Sequence, residues 1–173
     1  MAVGGNKLDI YNTAERILDS INQVFAEYDE VLPTRQFIYV GEMPPHDCEQ
    51  VTVGFLEHYA GPPGAQAQEP AKCNEVRTAA FTIEVVRACA PGLVNVQSES
   101  TGRRYNNRVE TASPADYNGY AKQRLIDATL LMEAGMRVVG SDVMSVGGLA
   151  DVQTGAISGE HQAMILNLFI VVE

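Results

Sequence analysis

No apolar run in this sequence approaches the roughly 20 residues that a bilayer-spanning helix needs. The longest candidate, Ala163 to Val172, is interrupted by Asn167 and has the length of a buried strand. The opening stretch, MAVGGNKLDIYN, lacks the apolar core of a secretory signal, so synthesis in the cytoplasm and retention there are expected. Basic residues are scarce: 12 Lys and Arg face 22 Asp and Glu, a net charge of −10. A chain this acidic is a poor general nucleic-acid binder, because phosphate neutralisation needs clustered Lys and Arg. Cysteines number three (Cys48, Cys73 and Cys89), at irregular spacing and without a CxxC pair or a Cys/His tetrad. That argues against a structural zinc site and for reduced cytosolic thiols, with a disulfide expected only in an oxidising medium. GxSxG, HExxH and paired-carboxylate motifs are missing too. The stretch Gly140 to Gly148 lacks the GxxxxGK[ST] phosphate loop and opens no convincing helix, so it reads as a flexible connection. The expectation is a protein without enzymatic activity, cofactor or metal.

What is present suits one globular domain. At 173 residues the chain can bury a proper core but is short for two domains, and its 46% hydrophobic content excludes wholesale disorder. Charge is unevenly spread. Residues 1–60 carry ten acids against three bases, residues 61–124 six against eight, and residues 125–173 six against one. The single basic cluster is Arg103, Arg104 and Arg108. A solvated loop or a set of ion-pair partners is the preferred reading of it, with direct phosphate contact as the alternative.

Periodicity orders the chain as α-β-β-β-α-β-β. Ile10, Ala14, Ile17, Ile21, Val24, Phe25 and Tyr28 recur at steps of three and four, which predicts a helix from Leu8 to Glu30 ended by Leu32-Pro33. Gln36–Val40 is a short β-rich run. Gln50–Tyr59 and Arg77–Ala88 alternate and read as a long hairpin with an extended tip around residues 60–75. In them Val51, Val53, Phe55, Phe81, Ile83 and Val85 take one face, and Gln50, Thr52, Thr82 and Glu84 the other. Ser113-Pro114-Ala115-Asp116 is a strong helix start. The helix is predicted to run to about Ala134 with Tyr117, Ala121, Leu125, Ala128 and Met132 along one face. Leu149–Ala156 and His161–Val172 close the chain as strands, the last apolar on both faces and so suited to an interior position. The expected architecture is a single α+β domain over residues 1–173, with a mostly antiparallel sheet and two helices packed on one face.

The densest set of reactive side chains is PPHDCEQ, Pro44 to Gln50. A cysteine nucleophile needs a base and an orienting group within reach, and neighbours on an extended chain point to opposite sides. His46 and Cys48 share a side but leave a metal two ligands short. If Tyr59 opposes a residue near Arg77, Cys48 comes close to Cys89. Three readings stay open for the segment: packing at a strand end (preferred), a Cys48–Cys89 disulfide, and metal or catalytic chemistry. His58 and His161 read as polar-face strand residues.

Three stretches, LDIYNTAERILDSI (8–21), LPTRQFIYVGEMPPHDCEQVTVGFLEHYAGPPG (32–64) and RTAAFTIEVVRACAP (77–91), resemble virion proteins of actinobacteriophages. These are small neck-region proteins assigned as tail terminators of long-tailed phages. The second half of the chain is similar to them only in layout. The resemblance implies an α+β subunit that forms a homohexameric ring on the head-proximal end of the tail tube. Such a ring ends polymerisation of the tube protein and presents the surface for the head-completion or stopper protein; a stopper role in the same neck is the alternative. It also implies a virion component assembled in the host cytoplasm, with DNA passing through an acidic channel without specific binding. The role is one of surfaces, so no site residue carries over. The segments expected to meet neighbouring subunits are the hairpin tip (Gly64, Gln66, Lys72), the basic segment (Arg103, Arg104, Arg108) and the glycine-rich connection (Ser141, Asp142).

Overall fold

The computed structural model describes residues 10–42, 45–46, 48–62, 77–89, 113–140, 148–158 and 160–172. Within them lie α1 (Ile10–Glu27), β1 (Gln36–Val40), β2 (Gln50–Ala60), β3 (Arg77–Ala88), α2 (Pro114–Val139), β4 (Gly148–Ser158) and β5 (His161–Val172). The strands form one sheet in the order β1-β2-β3-β5-β4. β2, β3, β5 and β4 pair antiparallel, and β1 alone runs parallel to its neighbour β2. This is the α+β architecture that the order of elements predicts.

Both helices pack on one face of the sheet. Ile17, Ile21 and Phe25 of α1 and Leu131 and Ala134 of α2 join one buried cluster with Val53, Phe81, Ile83 and Leu166. Fully burying each of the larger of these side chains contributes about 1.5–3 kcal/mol. Gly135 lets α2 come close to β5: a Cβ there would sit 3.2 Å from both Leu166 methyls. The hairpin register places Tyr59 opposite Thr78 and Ala60 opposite Arg77, as expected for strands joined at the 60–75 end. A bulge between Phe55 and Glu57 pushes Leu56 outward, where it is 52% exposed.

The structure corrects three expectations. First, α1 stops at Glu27, well before the proline. Asp29 adopts a left-handed conformation (φ 57°), and Glu30 N–H donates to the Phe25 carbonyl while Asp29 N–H donates to that of Ala26. This is a Schellman cap, which satisfies the last carbonyls without proline. Tyr28, predicted on the buried stripe, is 58% exposed as a result. Second, the polar faces of β2 and β3 are not wet: Gln50, Thr52, Thr78, Thr82 and Glu84 are all buried. Third, α2 runs on to Val139 and buries another stripe than the one its apolar spacing predicts. Arg124, Asp127, Leu130, Leu131, Ala134 and Val138 face inward, whereas Tyr117, Ala121 and Leu125 face solvent. The two stripes differ by one residue, about 100° around the helix.

Candidate functional site

Because β1 and β2 are parallel, with Gln36 opposite Val51, the chain must return the length of β1 before β2 begins. Pro45, His46 and Cys48 lie on that return. The Pro45 carbonyl accepts from the Gln50 amide at 3.4 Å. His46 Nε2 meets Glu84 Oε2 at 2.6 Å, with His46 13% and Glu84 1% exposed. Glu84 belongs to the sheet face opposite the helices, so the histidine clasps the connection onto that face. Beside it, the outer end of the Tyr39 ring covers Gly54, its register partner; a Cβ on Gly54 would sit 2.4 Å from Tyr39 Cζ. Burial first, and the nearby Glu84 charge second, push the Tyr39 hydroxyl up to about 12. Glu84 Oε1 and the hydroxyl of Thr52, directly across the strand pair, are buried with no hydrogen-bond partner among the described residues.

PPHDCEQ is thus divided among separate tasks. Cys48 Sγ accepts from Arg35 Nη1 at 3.3 Å and donates to Gln50 Oε1 at 3.6 Å. Glu49 Oε1 accepts the Ala88 N–H at 3.1 Å, tying the start of β2 to the end of β3. His46 is engaged by Glu84, while the partners of Cys48 are Arg35 and Gln50. Cys48 and Cys89 are both free thiols; Cys89 Sγ lies 3.5 Å from the Tyr120 hydroxyl. Among the described residues no group of three His, Cys, Asp or Glu side chains converges as a metal site would require. His58 is exposed and His161 half-buried at strand ends.

A second polar cluster was not evident from periodicity. Asp127 of α2, fully buried, accepts from Arg87 Nε at 2.8 Å and Arg87 Nη2 at 2.9 Å. Arg124 Nη1 lies 3.5 Å from the same carboxylate, and its Nη2 donates to the Arg87 carbonyl at 3.0 Å. Arg87 Nη2 also donates to the Val31 carbonyl at 2.8 Å, so the cluster joins β3, α2 and the segment after α1. Tyr120 stacks on Arg124, with 5.0 Å from guanidinium carbon to ring centroid, and donates its hydroxyl proton to Gln162. Arg87 near the end of the apolar strand Arg77–Ala88, and an Arg–Asp pair three residues apart in α2, were the available sequence signals.

Turning Arg124 and Asp127 inward turns the regular apolar stripe outward. It forms an open groove of about 1070 Å³ along α2, walled by Tyr28 beyond the end of α1 and by Val152 of β4. Leu125 is 69%, Met136 57% and Tyr117 47% exposed. Lys122 and Glu133 flank this surface, and Glu133 also accepts from Arg137 Nε at 2.9 Å.

The segments expected to meet other subunits (Gly64, Gln66 and Lys72; Arg103, Arg104 and Arg108; Ser141 and Asp142) lie outside the described residues, as do Asp47 and Cys73. Among the described residues no helix is long and apolar enough to cross a membrane. No protein-family model matches the chain, and no curated protein matches it significantly.

Proposed function

We propose that this chain is a structural subunit of a phage virion, a tail terminator that assembles as a homohexameric ring on the head-proximal end of the tail tube. The observation that carries an assembly role is the outward apolar face of α2, where Leu125 is 69% and Met136 57% exposed along one groove. The resemblance of residues 8–21, 32–64 and 77–91 to neck-region proteins narrows assembly to the tail terminus. In this reading the ring stops tube growth and offers the docking surface for the head-completion protein. Its net charge of −10 per subunit, repeated around a channel, repels DNA phosphates and lets the genome pass without sticking. The hairpin tip, the Arg103–Arg108 segment and the Gly140–Gly148 connection make the head-to-tail contacts that close the ring.

Native mass spectrometry and negative-stain imaging, alone and with tail tubes, test the proposal. A six-fold ring that co-purifies with headless tails is the expected result. Co-purification with filled heads instead assigns the stopper position, and a chain that stays monomeric in the presence of tubes overturns the ring. Charge reversal at Arg103, Arg104 and Arg108 together is expected to block assembly.

A further inference from the structure

α2 carries two stripes, and the fold buries only one. The other, half-buried at Ala128 and Met132 and exposed at Ala121 and Leu125, has the 3-4 spacing of a helix-pairing seam: Asn118, Ala121, Leu125, Ala128 and Met132, all lining the open groove. Along this line large and small side chains alternate, since Ala121 and Ala128 are separated by Leu125 and followed by Met132.

That order is complementary to itself when the helix is reversed. Set two copies of α2 antiparallel with Leu125 of one over Ala128 of the other. The same register then puts Met132 over Ala121 and Met136 level with Tyr117. Each large side chain in the seam meets a small one, and the thioether of Met136 meets the ring of Tyr117, a favourable pairing. Both of those end residues are largely exposed in the single chain, at 57% and 47%. Charge agrees with shape. Lys122 and Glu133 both flank the groove and stand eleven residues, or about three turns, apart, which puts them on the same rim of the seam. In the antiparallel pair the rims coincide, so Lys122 of each copy faces Glu133 of the other. In a parallel two-fold pair the same two residues lie on opposite rims and at different heights, so neither attraction forms.

We infer that the outward face of α2 binds a second copy of this chain, helix against helix and antiparallel, about a two-fold axis. An isologous contact of this kind is distinct from the head-to-tail contacts of a ring, and it does not rest on the tail-terminator reading. It joins two copies, or two rings, back to back through α2.

Sedimentation equilibrium and native mass spectrometry of the full chain test the contact. Wild type is expected to show a two-copy species. Lys122→Glu alone and Glu133→Lys alone each replace two attractions by two repulsions, and each is expected to raise the two-copy dissociation constant about tenfold. An equimolar mixture of these two variants regains attraction at both pairs, so the mixed pair is expected to bind as wild type does. Both substitutions are on the surface, and an unchanged melting temperature shows that the chain remains folded. Leu125→Glu is expected to abolish the two-copy species. A wild-type chain that is monomeric at millimolar concentration, or variants that associate unchanged and show no preference for mixing, overturns the contact. A six-fold ring whose mass is insensitive to all three substitutions leaves the ring proposal standing and overturns this one alone.

Discussion

The Arg87 guanidinium grips both carboxylate oxygens of Asp127, at 2.8 and 2.9 Å, with the aspartate fully buried. This pair fixes how α2 is rotated on the sheet. Removing one partner leaves the other charge buried and unpaired, a loss of about 3–5 kcal/mol. Asp127→Ala is therefore expected to lower stability by that amount in urea unfolding. Arg87→Ala combined with Asp127→Ala should cost clearly less than the two losses added together. The exposed Arg137–Glu27 bridge, 2.8 Å long, provides the contrast: Glu27→Ala should leave the unfolding midpoint almost unchanged.

His46 is the partner that a hydrogen bond supplies to the buried Glu84 carboxylate, at 2.6 Å. Without the ring the carboxylate has lost its cross-sheet partner, so His46→Ala is expected to destabilise by about 3 kcal/mol or more. It should also accelerate hydrogen exchange of the amides at the start of β2, because the connection is no longer held to the sheet. If His46 were instead a catalytic or metal-binding residue, stability would change little.

Tyr39 makes the fold sensitive to alkali. Its hydroxyl is raised from 10.0 to about 12, by burial and then by Glu84. A raised folded-state value means that the neutral form is favoured by folding. The contribution is complete below the unfolded value near pH 10 and is lost as pH rises through about 12. Stability measured against pH is expected to fall over this window, and to fall less steeply in Tyr39→Phe. Gly54→Ala drives a methyl into the same ring and is expected to cost about 1–3 kcal/mol, with Tyr39→Ala relieving most of it.

Asp29 ends α1 in a left-handed conformation, φ 57°. An L-residue pays about 1–2 kcal/mol there, and glycine pays only its extra unfolded-state entropy of about 0.5–1 kcal/mol. Asp29→Gly is expected to stabilise the protein by about 0.5–1 kcal/mol, visible as a higher urea midpoint at unchanged slope.

Much of the fold was legible because its signals are local. Alternation in Gln50–Ala60 and Arg77–Ala88 specified a hairpin, and the apolar run of His161–Val172 specified an interior strand, paired on one side with β3 and on the other with β4. Ser113 and Asp116 announced the start of α2, where they form a reciprocal capping box. The reactive-looking segment around Cys48 was harder to place. Local sequence marked it as a proline-delimited approach to β2, while the partner of His46, Glu84, lies 38 residues away.

By itself, then, the sequence determined the elements, their order and the α+β class, since helix and strand periods are written in neighbouring residues. Tertiary structure alone decided which stripe of α2 lies inside. Apolar spacing favours Leu125 and Met132, yet Arg124 and Asp127 are buried instead, because Arg87 of β3 waits beneath them to complete an ion cluster. A charged residue can be interior only if its partner comes from elsewhere in the fold, and no local pattern records that partner. The apolar stripe thereby left outside is what the folded subunit offers to another copy of itself.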